Sequence, residues 1–277
     1  MRSVALAAAL ALLAAAPAAA QHPAVFGVVD PDAFIQGNAT RFIGCHDGRR
    51  FVLAPCRVDA IVPGAVLPAL DSLGRTSRVV IQQVFPLRGD LYEAPYAAHV
   101  SLAEGGDADV PLLFWTPGAA VQVLPPHPVE LAPAVLDELR RRADSLAARA
   151  ADARPDDERP LSITHGPAQA WAVEGESDRV VVHWTAELVY GPELVDRRAS
   201  FTFVWAPGAR RVVFATFGHP EWAPVAADLV LAVKPLLFFR VGMGDRVYFL
   251  ARRDGAWESI GFGIFDLRTG ETVVQSL

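Results

Sequence analysis

The stretch RVVVHWTAELVYGPELVDRRASFTFVWAPGARRVVFATF, residues 179–217, decides how this chain folds. In its first part polar and apolar residues alternate, and one face receives six apolar or aromatic side chains: Val180, Val182, Trp184, Ala186, Leu188 and Tyr190. A second part repeats the alternation with Ala199, Phe201, Phe203 and Trp205. Alternation at period two is typical of a strand with one buried face. Residues 179–217 therefore predict a meander of three antiparallel strands.

The second turn of this meander is predicted at residues 206–209, which read Ala-Pro-Gly-Ala. Proline presets φ at the first central position and glycine supplies a positive φ at the second, so a type II turn is expected. Matching the apolar faces of neighbouring strands then fixes the register. The expected pairs are Trp205 with Arg210, Phe203 with Val212, Phe201 with Phe214, and, in the first hairpin, Tyr190 with Arg197.

Residues 1–20 have the three features of a secretory signal peptide. Arg2 supplies a positive charge, residues 4–16 form an apolar run, and residues 18–20 are small alanines before a cleavage site near Gln21. The run is too short to serve as a membrane anchor. We therefore expect an exported protein, periplasmic or extracellular, with no membrane span in the mature chain.

The composition narrows the class of partner. Lys234 is the one lysine beside 24 arginines, which indicates high-GC coding and hence a bacterial source. Removing Arg2 leaves 24 basic residues against 31 acidic ones, a net charge of −7. Phosphates of nucleic acids and of anionic lipids repel such a chain. The expected partner is an unknown small molecule or protein, with no nucleic acid.

The two cysteines, Cys45 and Cys56, lie close together in the sequence. In an oxidising compartment an even, closely spaced pair predicts a disulfide. In the chain-entropy model this short loop stabilises the fold by roughly 3 kcal/mol. The rival hypothesis is a nucleophile or metal site with His46. Because two cysteines and one histidine leave a zinc set incomplete, the sequence predicts no metal and no cofactor.

The predicted fold class is α+β, mostly antiparallel β meanders with one long amphipathic helix packed on a sheet. Residues 21–128 are expected to form a β-rich region that carries the disulfide hairpin. The proline-rich segment at its end, residues 125–128, predicts a break in regular structure and a boundary. Residues 129–277 are expected to form an α+β region, with antiparallel strands over 161–217 and 236–276.

The helix is predicted over residues 133–153. Its apolar stripe predicts packing on the apolar face of the meander and consists of Leu131, Val135, Leu139, Ala143, Leu146 and Ala150. Asp137 and Glu138 come early, where the helix dipole favours anions. Each is spaced to pair one turn later, Asp137 with Arg141 and Glu138 with Arg142.

Two shorter signals are found nearer the carboxyl end. Residues 225–241 are mostly apolar and predict a buried segment, with a short helix that continues into a strand at Leu236. Asp254-Gly255 predicts a tight hairpin between the strands on either side of it.

The polar face of the meander is the first candidate site. It carries His183, Thr185 and Glu187 opposite Arg198, Ser200 and Thr202. If this face lines a pocket, His183 can carry a proton and Arg198 can hold an anionic group. The same residues also suit an ordinary solvated sheet face, with Glu187 and Arg198 as a diagonal cross-strand pair.

The second candidate site follows from extending the predicted register, which places Asp196 opposite His219. A carboxylate that orients an imidazole is the base half of many hydrolytic sites, so this pair is the candidate catalytic set. The sequence Gly218-His219-Pro220 also reads as a plain turn. The chain contains no nucleophile elbow, phosphate loop or dinucleotide fingerprint.

Three functions remain open at this point. The first is a non-catalytic exported protein, a binding or envelope-associated module that uses a sheet face or a loop end. The alternative is a hydrolase with a dispersed site that contains Asp196 and His219. A third is a surface interaction protein with exposed aromatic anchors at Trp222, Trp257 and Phe262.

Overall fold

The structure is a computed structural model that describes residues 23–29, 40–52, 61–71, 73–86, 96–103, 110–152, 160–176, 178–190, 197–218, 232–254, 260–269 and 272–276. These residues form three antiparallel sheets and a single helix, so the described chain is mostly antiparallel β structure. Within the same ranges, no helix combines the length and the apolar character needed to cross a membrane.

The helix is α1 (Pro133–Asp152). The strands, in chain order, are β1 (Ala24–Val29), β2 (Thr40–His46), β3 (Phe51–Val52), β4 (Val66–Asp71), β5 (Thr76–Pro86), β6 (Tyr96–Leu102), β7 (Leu112–Trp115), β8 (Val121–Val123), β9 (Pro126–Pro128), β10 (Ser162–His165), β11 (Gln169–Val173), β12 (Val180–Val189), β13 (Arg197–Ala206), β14 (Arg211–Gly218), β15 (Ala232–Val241), β16 (Val247–Asp254), β17 (Ile260–Asp266) and β18 (Thr272–Ser276).

The first seven strands form a sheet that closes on itself. Its order is β1-β7-β4-β5-β6-β2, β2 pairs back with β1, and β3 is added beside β2. We call it the closed sheet. Apolar side chains fill its interior, among them Val25, Phe42, Ile81 and Phe114. A Cβ at Gly27 would lie 2.2 Å from Cζ of Phe114, so only glycine allows the ring to take this position.

The last four strands and β8 form the central sheet, with the order β18-β17-β16-β15-β8. One of its faces packs on the closed sheet, where Phe239 contacts the rings of Phe26 and Phe51. The other face, with Phe249 and Phe265, packs against a third sheet. The central sheet is thus buried on both sides.

The third sheet is the predicted meander, with the order β14-β13-β12-β11-β9, and with β10 also paired to β12. Its three strands β12, β13 and β14 confirm the prediction from residues 179–217. Helix α1 covers its other face, where Leu139, Ala143 and Ala147 are fully buried. The order of layers is therefore α1, meander sheet, central sheet and closed sheet.

The predicted helix pairs need one correction. No acidic residue lies in the first turn of α1, because Asp137 and Glu138 lie in the second turn. Glu138 accepts hydrogen bonds from both Arg141 and Arg142, each at 2.8 Å. The Glu138 carboxylate therefore binds both arginines, whereas the sequence predicted a separate carboxylate for each.

The predicted register of the meander is wrong in both hairpins. Leu188, rather than Tyr190, lies opposite Arg197, a shift of two residues that keeps the apolar faces matched. In the second hairpin Phe203 faces Ala215, and the ladder is irregular between Val204 and Trp205. The irregularity adds one residue on β14, because the pairs skip Val213.

The turn itself is not of type II. It spans residues 207–210, and the backbone N–H of Arg210 donates to the carbonyl of Pro207 at 3.2 Å. Positive φ is found at Arg210, where it is 48°, rather than at Gly208. The connection has four residues, as predicted, but lies one position later in the sequence, which displaces each pair of β14 by two residues.

Three further expectations are corrected. Residues 125–128 do not break regular structure, because β9 pairs with β11 as an edge strand, where proline is tolerated. Leu236 lies inside β15 rather than at its start, and residues 225–231 of the predicted segment lie outside the described ranges. Asp254 pairs with Ile260, so the connection between β16 and β17 is longer than the predicted two-residue turn.

Candidate functional site

The predicted polar face of the meander is only half exposed. His183 and Thr202 are opposite each other and buried, and Nδ1 of His183 lies 2.8 Å from Oγ1 of Thr202. Val181 and Val204 share their face and pack on the central sheet, which excludes water from this end. A fully solvated face is therefore the wrong prediction for His183 and Thr202.

Thr185 and Glu187 lie at the exposed end of the same face. The backbone of Glu187 is directly opposite that of Arg198 rather than diagonal to it, and the side chain of Arg198 lies outside the described part of the chain. The structure therefore separates four of the five predicted binding residues into a buried pair, His183 and Thr202, and an exposed pair, Thr185 and Glu187. Their binding role stays a prediction.

The other candidate residues are mostly outside the described ranges. Asp196 and His219 are among them, and the pairing of Ser200 with Gly218 replaces the register from which they were inferred. Trp222 and Trp257 also lie outside. Phe262 is not an exposed anchor, because its side chain is buried in the core between the closed and central sheets.

Cys45 is buried in β2, where it lies opposite Val25 of β1 and Val52 of β3. Its predicted partner, Cys56, lies outside the described part of the chain. The disulfide therefore stays a prediction.

A histidine–carboxylate pair that the sequence did not indicate connects helix α1 to the meander sheet. Nε2 of His165 lies 2.9 Å from Oδ1 of Asp144, and the indole N–H of Trp184 donates to Nδ1 of His165 at 3.0 Å. Because Nδ1 accepts, Nε2 carries the proton and donates to Asp144. Both ring nitrogens are engaged, so this imidazole positions the helix and has no lone pair left to act as a base.

In the described part of the chain, the largest network of charged side chains lies in the turns that follow β11, β15 and β17, and the turn after β2 adjoins them where Gly48 lies against Gly242. We call these four turns the turn cluster. Arg268, after β17, donates from Nη2 to Oε1 of Glu176 at 2.9 Å and from Nη1 to Oδ2 of Asp245 at 2.7 Å. The Glu176 side chain is only 2% exposed. One guanidinium thus connects the turns after β11, β15 and β17.

A second carboxylate holds the turn after β17. Oδ2 of Asp266 accepts from Nη1 of Arg246 at 3.0 Å, and its Oδ1 accepts the backbone N–H groups of Arg268 and Thr269. Hydrogen bonds from Arg268 lower the pKa of Asp245. Hydrogen bonds to Glu176 and Asp245 raise the pKa of Arg268. These shifts favour the charged forms of the pair, so the turns are held together by full charges.

A layer of uncharged aromatic rings lies under the turn after β2. His46 is buried, and its ring contacts Phe51 and Tyr248 edge to face at centroid distances of 5.0 and 6.0 Å. Burial lowers the pKa of His46, and Asp47 opposes this effect only in part. Burial, with the charge of Asp266, raises the pKa of Tyr248 to about 12. Both rings are therefore neutral at pH 7.

Neither a family model, nor a curated protein, nor a solved structure matches this chain. The function is therefore inferred from the geometry of the turn cluster and from the sequence.

The turn cluster presents one apolar side chain to solvent. Met243, in the turn after β15, is fully exposed, and Asp245 beside it is 80% exposed. In the turn after β2, Oδ1 of Asp47 accepts the backbone N–H groups of Arg49 and Arg50, each at 2.8 Å. Within the described ranges, no three His, Cys, Asp or Glu residues are grouped to hold a metal ion. The arrangement is a set of rigidly held loops with an apolar tip.

Proposed function

We propose that the protein is an exported, non-catalytic binding module whose turn cluster contacts a protein partner. The observation that carries this proposal is the fixation of three turns by Arg268, with Met243 fully exposed among them. Loops on a rigid scaffold are common binding elements, because their conformation is set before the partner arrives. Export, periplasmic or extracellular, rests on residues 1–20, and the full α+β assignment belongs to the same proposal.

The polar groups of the cluster favour binding over catalysis. The Glu176 carboxylate receives three hydrogen bonds from the Arg268 guanidinium. Both oxygens of Asp266 are likewise occupied. Groups with their hydrogen-bonding capacity used inside the fold stabilise loops and are poor nucleophiles or bases. The hydrolase alternative therefore gains no support from this end of the molecule.

A protein is favoured over a small molecule because of the shape and chemistry of the tip. Small-molecule sites are concave, whereas Met243 projects fully from its turn. Methionine is adaptable and is enriched, with arginine, at protein interfaces. The exposed charges of Asp245 and Arg246 beside it resemble the polar rim of such an interface.

Site-specific photo-crosslinking tests this proposal. One variant carries a photoreactive amino acid at Met243, and the matched control carries it at Leu161, another exposed apolar residue. The backbone N–H of Leu161 donates to Val189, at the far end of β12 from the turn cluster, ~30 Å away for ten residues of strand. Crosslinking is performed in the exporting cell, so that the natural partner is present.

We expect one discrete adduct from position 243 and none from position 161, and we expect excess purified wild-type protein to compete for it while Met243→Asp does not. Equal adducts from both positions, or none from position 243, would overturn the proposal. The hydrolase alternative is tested separately with generic esterase, peptidase and glycosidase substrates. Turnover that disappears in Asp196→Ala and His219→Ala would replace the binding proposal by the hydrolase.

A further inference from the structure

One half-buried arginine of the central sheet has no counter-charge among the described residues. Arg240 lies near the end of β15, and its guanidinium lies against Gly175 in the turn after β11. Nε of Arg240 is buried without an acceptor, and in the described part of the chain no residue forms an ion pair or hydrogen bond with this guanidinium. An arginine in this position has lost part of its hydration and has gained no partner in return.

The other buried charges nearby are all paired. Glu176 is held by Arg268, and Asp266 is held by Arg246. Asp178 and Asp245 are likewise bound to Arg179 and Arg268. Glu174, in the turn after β11, is exposed. Arg240 therefore differs from these neighbouring charged residues, which are ion-paired.

The turn after β11 and the edge strand β8 carry further donors. Nε of Arg179, in the same turn, is also buried without an acceptor, while its Nη1 donates to Asp178. Gln122 of β8 is paired with Arg240 across the sheet, so both side chains are on one face at the sheet edge. Gln122 is exposed and offers an amide donor beside the guanidinium.

We propose that Arg240 is the main residue of a carboxylate-binding site, filled by an acidic side chain of the protein partner. The planar fork of the guanidinium matches a carboxylate, which accepts two parallel hydrogen bonds. The site adjoins the turn cluster through Gly175, which lies against the guanidinium. The identity of the ligand's source rests on the proposed function, whereas the site itself rests only on this geometry.

The glycine at position 175 is part of the site. Its φ is 82°, a region that favours glycine, and a Cβ there would lie 2.9 Å from Nη2 of Arg240. Gly175→Ala would therefore move the guanidinium while leaving its charge in place. The variant therefore tests whether binding depends on where the guanidinium lies, in addition to whether the charge is present.

The test is a titration of the full mature chain, labelled at arginine nitrogens, followed by NMR of the Nε–H groups. Sodium acetate, a blocked aspartate peptide and inorganic phosphate are the three probes, at constant ionic strength. We expect a saturable shift of the Arg240 Nε–H signal with acetate and, more strongly, with the peptide. Arg240→Gln should weaken acetate binding by roughly tenfold or more, the loss expected for a charge-assisted hydrogen bond.

Variants separate the site from general charge effects. Arg211→Gln removes an exposed arginine of β14 and should leave acetate binding unchanged. Arg240→Lys keeps the charge but not the fork, and should bind acetate more weakly than wild type. Gly175→Ala should also weaken binding, with circular dichroism as the check that it is folded; if it is not, Arg240→Lys alone decides.

No saturable shift of Arg240, or equal losses in Arg240→Gln and Arg211→Gln, would overturn the inference. Phosphate binding as tight as acetate would overturn its carboxylate preference. Acetate binding without response to the peptide would assign the site to a small organic acid and overturn the partner's side chain as the ligand. If these titrations fail while the crosslinked adduct at position 243 forms, only this inference is contradicted. If the titrations succeed and no adduct forms at position 243, only the proposed function is contradicted.

Discussion

Replacing Arg268 by methionine tests whether the turn cluster is held by buried charge. Methionine keeps much of the aliphatic length and removes the guanidinium, so the Glu176 carboxylate, 2% exposed, loses the partner that donates three hydrogen bonds to it. Breaking a buried ion pair from one side costs about 3–5 kcal/mol, because the remaining charge stays buried. We therefore expect Arg268→Met to lower the free energy of unfolding by about 3–5 kcal/mol.

The reverse change should cost less. Glu176→Gln leaves Arg268 with a side chain that is 41% exposed and still donates to Asp245. Its charge remains solvated, so only a charge-assisted hydrogen bond weakens, at about 1–2 kcal/mol. The double variant should be more stable than Arg268→Met alone, since it contains no buried unpaired charge.

The measurement is urea unfolding of the three variants and the wild type, followed by tryptophan fluorescence. Arg142→Met is the matched control, because its guanidinium pairs with the exposed Glu138 and its loss should leave the urea midpoint almost unchanged. A loss for Glu176→Gln as large as that for Arg268→Met would refute the reasoning. A double variant less stable than Arg268→Met would refute it as well.

Three further variants test other parts of the fold. Tyr248 has its pKa raised from 10.0 to about 12, so its contribution to stability should be fully present below pH 10 and be lost as the pH rises to about 12; thermal melts of Tyr248→Phe should lack this part of the alkaline loss. Gly27→Ala places a methyl group against Phe114 and should destabilise by about 1–3 kcal/mol or more in urea unfolding, with partial rescue by Phe114→Leu. Arg210→Gly relieves a positive φ and should raise the urea midpoint, by about 1 kcal/mol in stability; an unchanged or lower midpoint would contradict the turn geometry.

Local patterns predicted the elements of this fold well. Alternation at period two depends only on neighbouring residues, and it correctly gave β12, β13 and the face that includes Trp184 and Phe201. The apolar stripe of α1 was likewise sufficient to predict the face that packs on the meander, although Ala147 was missed. Both features follow from the geometry of a single strand or helix.

The register was not predictable from the same patterns. Pro207-Gly208 is compatible with several turns, and the residue that takes positive φ is Arg210. Moving a turn by one position displaces every pair of the hairpin by two residues, and the irregularity at Val213 adds one more, so Phe203 meets Ala215 instead of Val212. Any site inferred from paired positions contains the same error. The predicted pairing of Asp196 with His219 therefore has no support from the observed register.

The polar face of the meander shows a signal that sequence reasoning passed over. Val181 and Val204 occupy positions on the side assigned to solvent, and both contribute to the core with the central sheet. An apolar residue on a polar face is evidence that a second layer covers that end of the strand. Weighing these two valines would have placed His183 and Thr202 inside and left only Thr185 and Glu187 exposed.

The turn cluster could not be found from sequence, because Arg268 and Glu176 are 92 residues apart and belong to different sheets. Its location nevertheless has a physical cause. The central sheet is buried on both faces by aromatic side chains, so charged residues of its strands are accommodated where the strands end, as Arg240 and Asp266 are. At that end most charges are paired across layers, and the proposed carboxylate of a partner would compensate the one described arginine, Arg240, whose Nε is buried without an acceptor. The same layering that hides His183 from solvent therefore concentrates the chemistry available to a partner at the turns.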